Sequence, residues 1–515
     1  MKTFKTIFFS LIITFNLVSG ITSAQAPDIE WQKSLGGSDD DIASSIQQTA
    51  DGGYIIVGSS YSNDGDVTEN QGNDDFWIVK LDDLGIIEWQ NSFGGSSRDI
   101  AYSVQQTPDG GYIVAGESFS NDGDVTGNQG LYDFWIIKLD DQGVLVWQKT
   151  LGGSGQDLLR SIQHTNDNGY IVAGISSSTD GDVTGNHGDF DIWVVKLNED
   201  GNLQWQKSYG GSESDFAYSV QQTTDGGYIV AGGSYSNDGD VTGNHGDGDY
   251  WVLKLNSTGN IQWQKTLGGT NWETARSIQQ TLDGGYIICG ESSSTDGDVT
   301  GNHEYYDFWV VKLTESGTIE WQQSYGGSAL EVAYSVQQTI DGGYVIAGYS
   351  NSTDEDITAN YGGKDYWVVK ISAVGIIEWQ RSMGGSSDEE ANSIQQTLDG
   401  GYIIAGYTES NDAEVSVNHG GADYWVVKLK PDPLNVDAYN NLVMAYPNPV
   451  TSILNIAAKE PIESVAVLNS LGQEVMASSH FETVIKLDLS GLLPNIYFIQ
   501  VTTEKSRQSF KIAVR

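Results

Sequence analysis

The 515-residue chain holds one cysteine, Cys289, so no internal disulfide can form and the fold must be held by packing and hydrogen bonding alone. Its neighbours Ile287 and Ile288 mark it as a buried thiol rather than a reactive one. Proline is scarce, 8 residues against 63 glycines, and with no collagen-like triplet period that glycine belongs to turns. Basic residues are few: 25 Lys and Arg face 69 Asp and Glu, a formal net charge of −44. Such a surface excludes nucleic acid as a partner and repels anionic glycans unless cations bridge them, while it favours solubility and divalent ions. The simpler reading is a solvated acidic surface of a secreted or salt-adapted protein. Beyond the N-terminus no apolar run approaches the roughly 20 residues that span a bilayer, so no transmembrane segment is expected. Helical periodicity is missing throughout. So are a Gly-x-Ser-x-Gly elbow and a phosphate loop, and the histidines lack a cysteine partner or His-x-x-x-His spacing, which argues against zinc and those catalytic classes.

Residues 1–24 carry Lys2 and Lys5, a mostly apolar run from Ile7 to Val18, and the small residues Ser23 and Ala24. This is the pattern of a secretory signal peptide, cleaved after Ala24 or Ala26. No cysteine follows it, which argues against a lipoprotein anchor at this end.

What is abundant is one repeat. Trp77, Trp135, Trp193, Trp251, Trp309, Trp367 and Trp425 follow one another at a constant 58 residues, and so do Trp31, Trp89, Trp147, Trp205, Trp263, Trp321 and Trp379. A period without insertions marks one supersecondary unit stacked many times. Each unit reads as four strands, a to d. In the first, strand a covers residues 45–49, an Asp-Gly-Gly turn leads to strand b at 54–58, and a long Asx- and Gly-rich loop leads to strand c at 75–81. Gly85 then turns the chain into strand d, which ends before Gly94 and Gly95. Two tight hairpins per unit require antiparallel pairing and exclude a parallel β-helix. Seven such sheets cover their apolar faces by stacking around an axis. The sequence therefore predicts an all-β chain whose residues 28–430 form a seven-bladed β-propeller. This region opens with a lone strand d and ends after a strand c, so the N-terminal strand is expected to complete the last blade and close the ring.

Lys430-Pro431-Asp432-Pro433 ends the repeats, a polar linker is expected over 431–441, and short alternating strands over 442–515 suggest a small β-sandwich. Tyr446-Pro447-Asn448-Pro449, Leu454-Asn455-Ile456, Leu468-Asn469 with Gly472, Leu487 with Leu489-Ser490, Tyr497, Ile499 and Val501, and Lys511-Ile512 follow in order to the C-terminus. Over about 444–515 this resembles the type A sorting domain of the type IX secretion system of Bacteroidota. Asn495 departs from the family's usual Gly, although Asn tolerates positive φ better than most residues. The resemblance implies handling by the type IX machinery, passage across the outer membrane of a Gram-negative bacterium, removal of the tail, and release or surface anchoring of the rest.

The b–c loop is the strongest candidate site. Asp122, Asp124, Thr126 and Asp133, with Gly127 at the sixth position, have the spacing of an EF-hand-type calcium loop, in which alternate oxygens converge on one hard cation. The corresponding sets are Asp64, Asp66, Thr68 and Asp75; Asp180, Asp182, Thr184 and Asp191; Asp238, Asp240, Thr242 and Asp249; and Asp296, Asp298, Thr300 and Asp307. Asp354, Asp356, Thr358 and Asp365 follow, and the last unit weakens to Asp412, Glu414, Ser416 and Asp423. No cofactor is required by this reading, and Ca²⁺ in the b–c loops is its one candidate; the alternative is a loop bonded to itself by Asx turns. A second carboxylate series, Asp41, Asp99, Asp157, Asp215, Glu273, Glu331 and Glu389, precedes strand a and would either ring a channel mouth or accept backbone N–H groups. The two tryptophan series read as packing between blades. Ligand contacts are sought where units differ: Arg98 and Trp272 in one d–a column, and Tyr132, Tyr305 and Tyr306 in the b–c loops. Near-identical blades favour a non-catalytic secreted or surface module that binds a glycan or a protein. The alternative is a secreted polysaccharide-degrading hydrolase or lyase with a carboxylate site on one face.

Overall fold

The computed structural model describes residues 25–303, 305–433 and, in the C-terminal region, 443–446, 453–458, 461–469, 473–493, 495–503 and 507–514. The signal peptide expected over 1–24, and the linker beyond residue 433, lie outside them. Among the described residues every regular element is a strand, and no helix is long and apolar enough to cross a membrane.

Strand β1 (Ile29–Leu35) is followed by the first complete blade, β2 (Asp41–Gln48), β3 (Tyr54–Ser60), β4 (Asp75–Leu81) and β5 (Ile87–Phe93), paired antiparallel in that order. Blades 2 to 6 repeat it as β6–β9 over residues 99–151, β10–β13 over 157–209, β14–β17 over 215–267, β18–β21 over 273–325 and β22–β25 over 331–383. Blade 7 contains β26 (Glu389–Gln396), β27 (Tyr402–Thr408) and β28 (Asp423–Leu429), and β1 pairs antiparallel with β28 as its fourth strand. Trp425 Nε1 donates to Gln32 Oε1 at 2.8 Å across that seam, the bond that Trp77 makes to Gln90 at 2.8 Å inside blade 1. The ring is a seven-bladed propeller closed by its N-terminal strand.

Burial explains the repeat's grammar. The middle strands are covered on both faces by neighbouring blades, so β3 and β4 are buried along their whole length and read as unbroken apolar runs, whereas the outer β5 is partly exposed. The first tryptophan series is fully buried: Phe76 lies 4.5 Å from the Trp135 ring of the next blade, and Tyr424 lies 4.6 Å from Trp77. The second series latches outer strands to their neighbours. Trp31 meets Tyr54 edge-on at 5.7 Å and covers Gly85, whose φ of 76° and the 2.9 Å left for any Cβ both demand glycine. The single lysine within buried β4, Lys80, is neutralised by Asp51 at 3.1 Å and Glu88 at 2.8 Å, which ties the a–b turn to strand c.

The innermost strands line an axial channel and are joined by side chains rather than by a backbone ladder. Gln47 Oε1 accepts from Gln106 N of the next blade at 2.6 Å, and the same bond recurs at every junction, including Gln48 N to Gln395 Oε1 at 2.7 Å across the closing seam. A second ring runs the other way. Ala50 N donates to Gln106 Oε1 at 2.9 Å, and five further junctions repeat this. At the remaining junction the donor position is Pro108, which has no N–H, and the acceptor position is His164 instead of Gln.

In the C-terminal region, β29 (Val443–Tyr446), β30 (Ile453–Ala458) and β33 (Val484–Asp488) form one sheet. Strands β32 (Glu474–Ser479), β31 (Ile462–Leu468), β34 (Asn495–Thr503) and β35 (Arg507–Val514) form the other. Leu454, Ile456 and Leu487 of the first share a core with Val465, Val467, Ile499 and Val501 of the second, the expected small sandwich.

The proline and histidine at one junction yield a test. Pro108→Ala combined with His164→Gln should restore the missing bond, with a coupling free energy of about 1 kcal/mol in a double-mutant cycle of chemical denaturation. Strict additivity of the two single variants would show that this ring contributes nothing to stability.

Candidate functional site

Strand pairing places Asp41 opposite Ser60 and Ser60 opposite Asp75, so the d–a and b–c loops of every blade share one face of the propeller, and the tight hairpins occupy the other. The loop face carries all the candidate residues.

The calcium-like positions do not converge. In blade 2, Asp122 Oδ1 accepts from Ser96 N at 2.7 Å, while Asp124 Oδ2 accepts from Gly94 N at 3.3 Å and from Gln71 Nε2 of the preceding blade at 2.6 Å. Thr126 Oγ1 accepts from Gln148 Nε2, and Asp133 Oδ2 accepts from Gln129 N at 2.8 Å. The first position is bonded in the same way in the other blades, as at Asp64, Asp180, Asp238 and Asp296. Among the described residues no group of three or more His, Cys, Asp or Glu is placed to hold a metal ion. The spacing that resembles an EF-hand lies in a loop bonded to itself and to the d–a loop. Asx chemistry and cation ligation ask for the same residues, and here the backbone N–H groups take the oxygens.

The last position of that spacing behaves differently. Asp75, Asp133, Asp191, Asp249, Asp307, Asp365 and Asp423 are fully buried, and in each Oδ1 has no hydrogen-bond partner. The second carboxylate series does not ring an open mouth: Asp41, Asp99 and Asp157 are equally buried, and each accepts from the backbone of its own loop, as Asp157 does from Gly153 N at 2.8 Å. The two series meet across each junction. Between Asp133 and Asp157 stands Gly152, where a Cβ would come within 2.5 Å of one carboxylate and 2.6 Å of the other. Burial, reinforced by the neighbouring carboxylates Asp157 and Asp182, pushes Asp133 up to about 7, and Asp75 and Asp365 are likewise raised to about 7. Where the loop carries histidine, the imidazole answers the charge: His187, His245, His303 and His419 place Nδ1 at 2.9, 2.6, 2.7 and 2.8 Å from Asp191, Asp249, Asp307 and Asp423. These histidines are partners of carboxylates rather than loop decoration.

The departures from symmetry gather at the axial mouth. Every innermost strand has a β-bulge at the same register, and the bulged residues are Ser44, Tyr102, Arg160, Tyr218, Arg276, Tyr334 and Asn392. A bulge re-aims its side chain. Arg160 lies 4.2 Å over Tyr102, and Arg276 lies 4.5 Å over Tyr218 and 5.8 Å from Tyr334. Glu117 pairs with Arg160 at 2.7 Å and Glu291 with Arg276 at 2.6 Å. Beside this arc, between blades 4 and 5, opens a cavity of about 300 Å³ lined by Trp272, Tyr235, Tyr306, Tyr218, Arg276 and Glu291 among others.

Of the ligand residues predicted from sequence, Trp272 and Tyr306 thus meet in one cavity. Tyr305 is not part of its lining and stands edge-on to Tyr306 at 5.3 Å. Arg98 and Tyr132 do not join them: Arg98 is held by the buried Asp74 at 2.8 Å, and Tyr132 stacks on Phe119 at 5.0 Å. The bulge column and the Arg276–Glu291 pair lie on strands, outside the loops in which the sequence places its candidate sites. Their signal in the sequence is a strand position that alternates Tyr and Arg from blade 2 to blade 6 while the serine after it stays constant.

The buried carboxylates set a pH dependence. A folded-state pKa raised from 3.8 to about 7 means that this stabilising contribution is complete below about pH 4 and is lost as pH rises through 7. The melting temperature is expected to fall between pH 5 and pH 8, and Asp133→Asn should recover about 2 kcal/mol at pH 8. Loss of stability in that variant, together with a clear rise in melting temperature when Ca²⁺ is added to chelator-treated protein, would instead reveal a cation at the junction.

Comparison with known proteins places the C-terminal region. Residues 444–515 match the family of secretion system C-terminal sorting domains. The chain is 24% identical over 335 residues to the regulatory protein FlaEY of Caulobacter vibrioides, a match covering 56% of this chain and 34% of that protein, so it spans about a third of this relative. Among solved structures it is similar to PorZ, an essential surface component of the type IX secretion system of Porphyromonas gingivalis. That match has 11% identity and a TM-score of 0.40, and covers 93% of this chain and 60% of that one. It is also similar to a GH93 α-L-arabinofuranosidase of Fusarium graminearum, at 9% identity and a TM-score of 0.40, covering 77% and 97% of the two chains. Residues 444–515 are a type IX secretion sorting domain, and the protein that carries them is a secreted or cell-surface protein of the Bacteroidota.

Proposed function

We propose that the propeller is a non-catalytic binding or adhesion module, delivered by the type IX machinery, that engages a glycan or a protein through its loop face. The observation that carries this reading is the distribution of differences among the blades. Backbone, turns and junctions repeat, while Tyr102, Arg160, Tyr218, Arg276 and Tyr334 vary at the mouth beside a cavity with exposed aromatic rings. Aromatic and arginine side chains concentrated on a rigid scaffold suit recognition.

Catalysis by paired carboxylates is disfavoured by how the cavity's acids are used. Glu273 accepts from Gly269 N at 2.8 Å and from Ser292 Oγ at 2.8 Å, and Glu291 is committed to Arg276. Neither is left as a general acid or base facing the cavity. A glycan array read alongside reducing-sugar release checks the reading. Retention of a glycan, or of a surface protein, without release of reducing ends is the expected result; turnover that Glu291→Gln abolishes would replace it with the hydrolase or lyase alternative.

A further inference from the structure

We infer that the cavity between blades 4 and 5 is a subsite for one neutral pyranose unit, an assignment that rests on the glycan branch of the reading above. The seven junctions are built alike, and at this one two positions that carry bulk in several other blades are glycine. Gly233 stands where blades 6 and 7 have Tyr349 and Tyr407, and Gly248 stands where others have Tyr132, Phe190, Tyr306 or Lys364. Neither deletion is demanded by backbone conformation, since neither residue has positive φ, and a Cβ on Gly233 would meet nothing closer than 3.7 Å. Gly248 makes room for the ring of Tyr235, which lies 2.6 Å from the place a Cβ would take.

The vacated space has one stacking corner and one polar floor. Trp272 is 50% exposed and Tyr235 41% exposed, and their rings stand 6.5 Å apart at 68°, two walls of different orientation. The backbone under the indole is fixed before any ligand arrives: Trp272 N donates to Ser293 Oγ at 3.1 Å, and Ser293 N donates to Trp272 O at 2.9 Å. At the floor, Glu291 takes the Nε and Nη2 edge of Arg276, and Nη1 is not part of that pair. The hydroxyl of Thr274 and the phenol of Tyr306 complete a set of donors and acceptors around the rim. A ring with an apolar face and hydroxyls at its edge satisfies both surfaces. Charge selects against acidic sugars, because the one cation of the floor is already neutralised and the chain carries a net charge of −44. The volume, about 300 Å³, is at the small end of ligand pockets and suits a single sugar unit rather than a buried oligosaccharide.

The full secreted chain would be titrated, by saturation-transfer NMR and calorimetry, with the methyl glycosides of glucose, galactose, mannose and N-acetylglucosamine. Sodium glucuronate serves as the anionic control and N-acetyltyrosinamide as the peptide control. At least one neutral glycoside is expected to bind, and Trp272→Ala and Gly233→Tyr should each weaken it about tenfold or more at an unchanged melting temperature. Gly233→Tyr is the safer variant for folding, because tyrosine already occupies this register in two blades. Glycan binding that survives both variants would overturn the subsite and leave the binding function standing. Binding of glucuronate or N-acetyltyrosinamide in place of the neutral sugars would overturn the ligand class. Retention of a protein partner with no sugar bound anywhere would remove the glycan branch and this subsite with it.

Discussion

The hydrogen bond from the backbone of one innermost strand to the glutamine side chain of the preceding blade is the constraint on which the ring depends. Innermost strands of neighbouring blades splay apart and form no ladder, so their inward N–H groups would face the channel unpaired. Gln47 and its equivalents supply the missing acceptors, one per junction, and the last of them spans the seam between blades 7 and 1. Because the amide reaches only one register, every blade must present the same residue at the same height. The acceptor glutamine accordingly recurs in every blade, at a spacing of 58 residues. In the second ring, which runs the other way, Pro108 and His164 show donor and acceptor lost together at one junction, while the first ring stays whole there through His164 N and Gln105.

A scaffold so constrained leaves few positions at which to differ, and the free ones have a common physical basis. The bulged residue of each innermost strand takes no part in the ladder, so its identity is unconstrained by pairing, and the bulge turns it toward the mouth. Serine, tyrosine, arginine and asparagine all occur there without disturbing the sheet. Positions 233 and 248 differ as well, though 233 lies within the ladder: glycine in one blade stands where others carry tyrosine or phenylalanine. The blades thus differ by substitution at tolerant registers, with no insertion in any loop.

The acidic charge has two separate uses. Part of it is interior: the carboxylates at the blade junctions are buried and accept backbone N–H groups, and that burial, with neighbouring carboxylates adding to it, raises them toward neutrality. The rest is exposed on the loops and turns, where like charges keep apolar surfaces of neighbouring molecules apart. The sorting domain shares neither habit. It carries six Lys and Arg and six Asp and Glu over residues 441–515 and folds around its own sandwich core, in keeping with a tail whose task is export.

The sequence by itself determined the number of blades, the four strands of each, the closing role of residues 29–35 and the nature of the tail. All of these follow from periodicity, turn chemistry and local motif, which are properties of neighbours along the chain. It also pointed to Trp272 and Tyr306, because an aromatic that breaks a repeat stands out in a column. Only the tertiary structure decided that these two share a cavity while Arg98 and Tyr132 do not, since that depends on which blade lies beside which and on the glycines at 233 and 248. It likewise showed how the Asp-rich loops are bonded. Ligation of a cation and capture of backbone N–H groups call for the same residues at the same spacing, and only the tertiary structure places Ser96, Gly94 and Gln71 around Asp122 and Asp124.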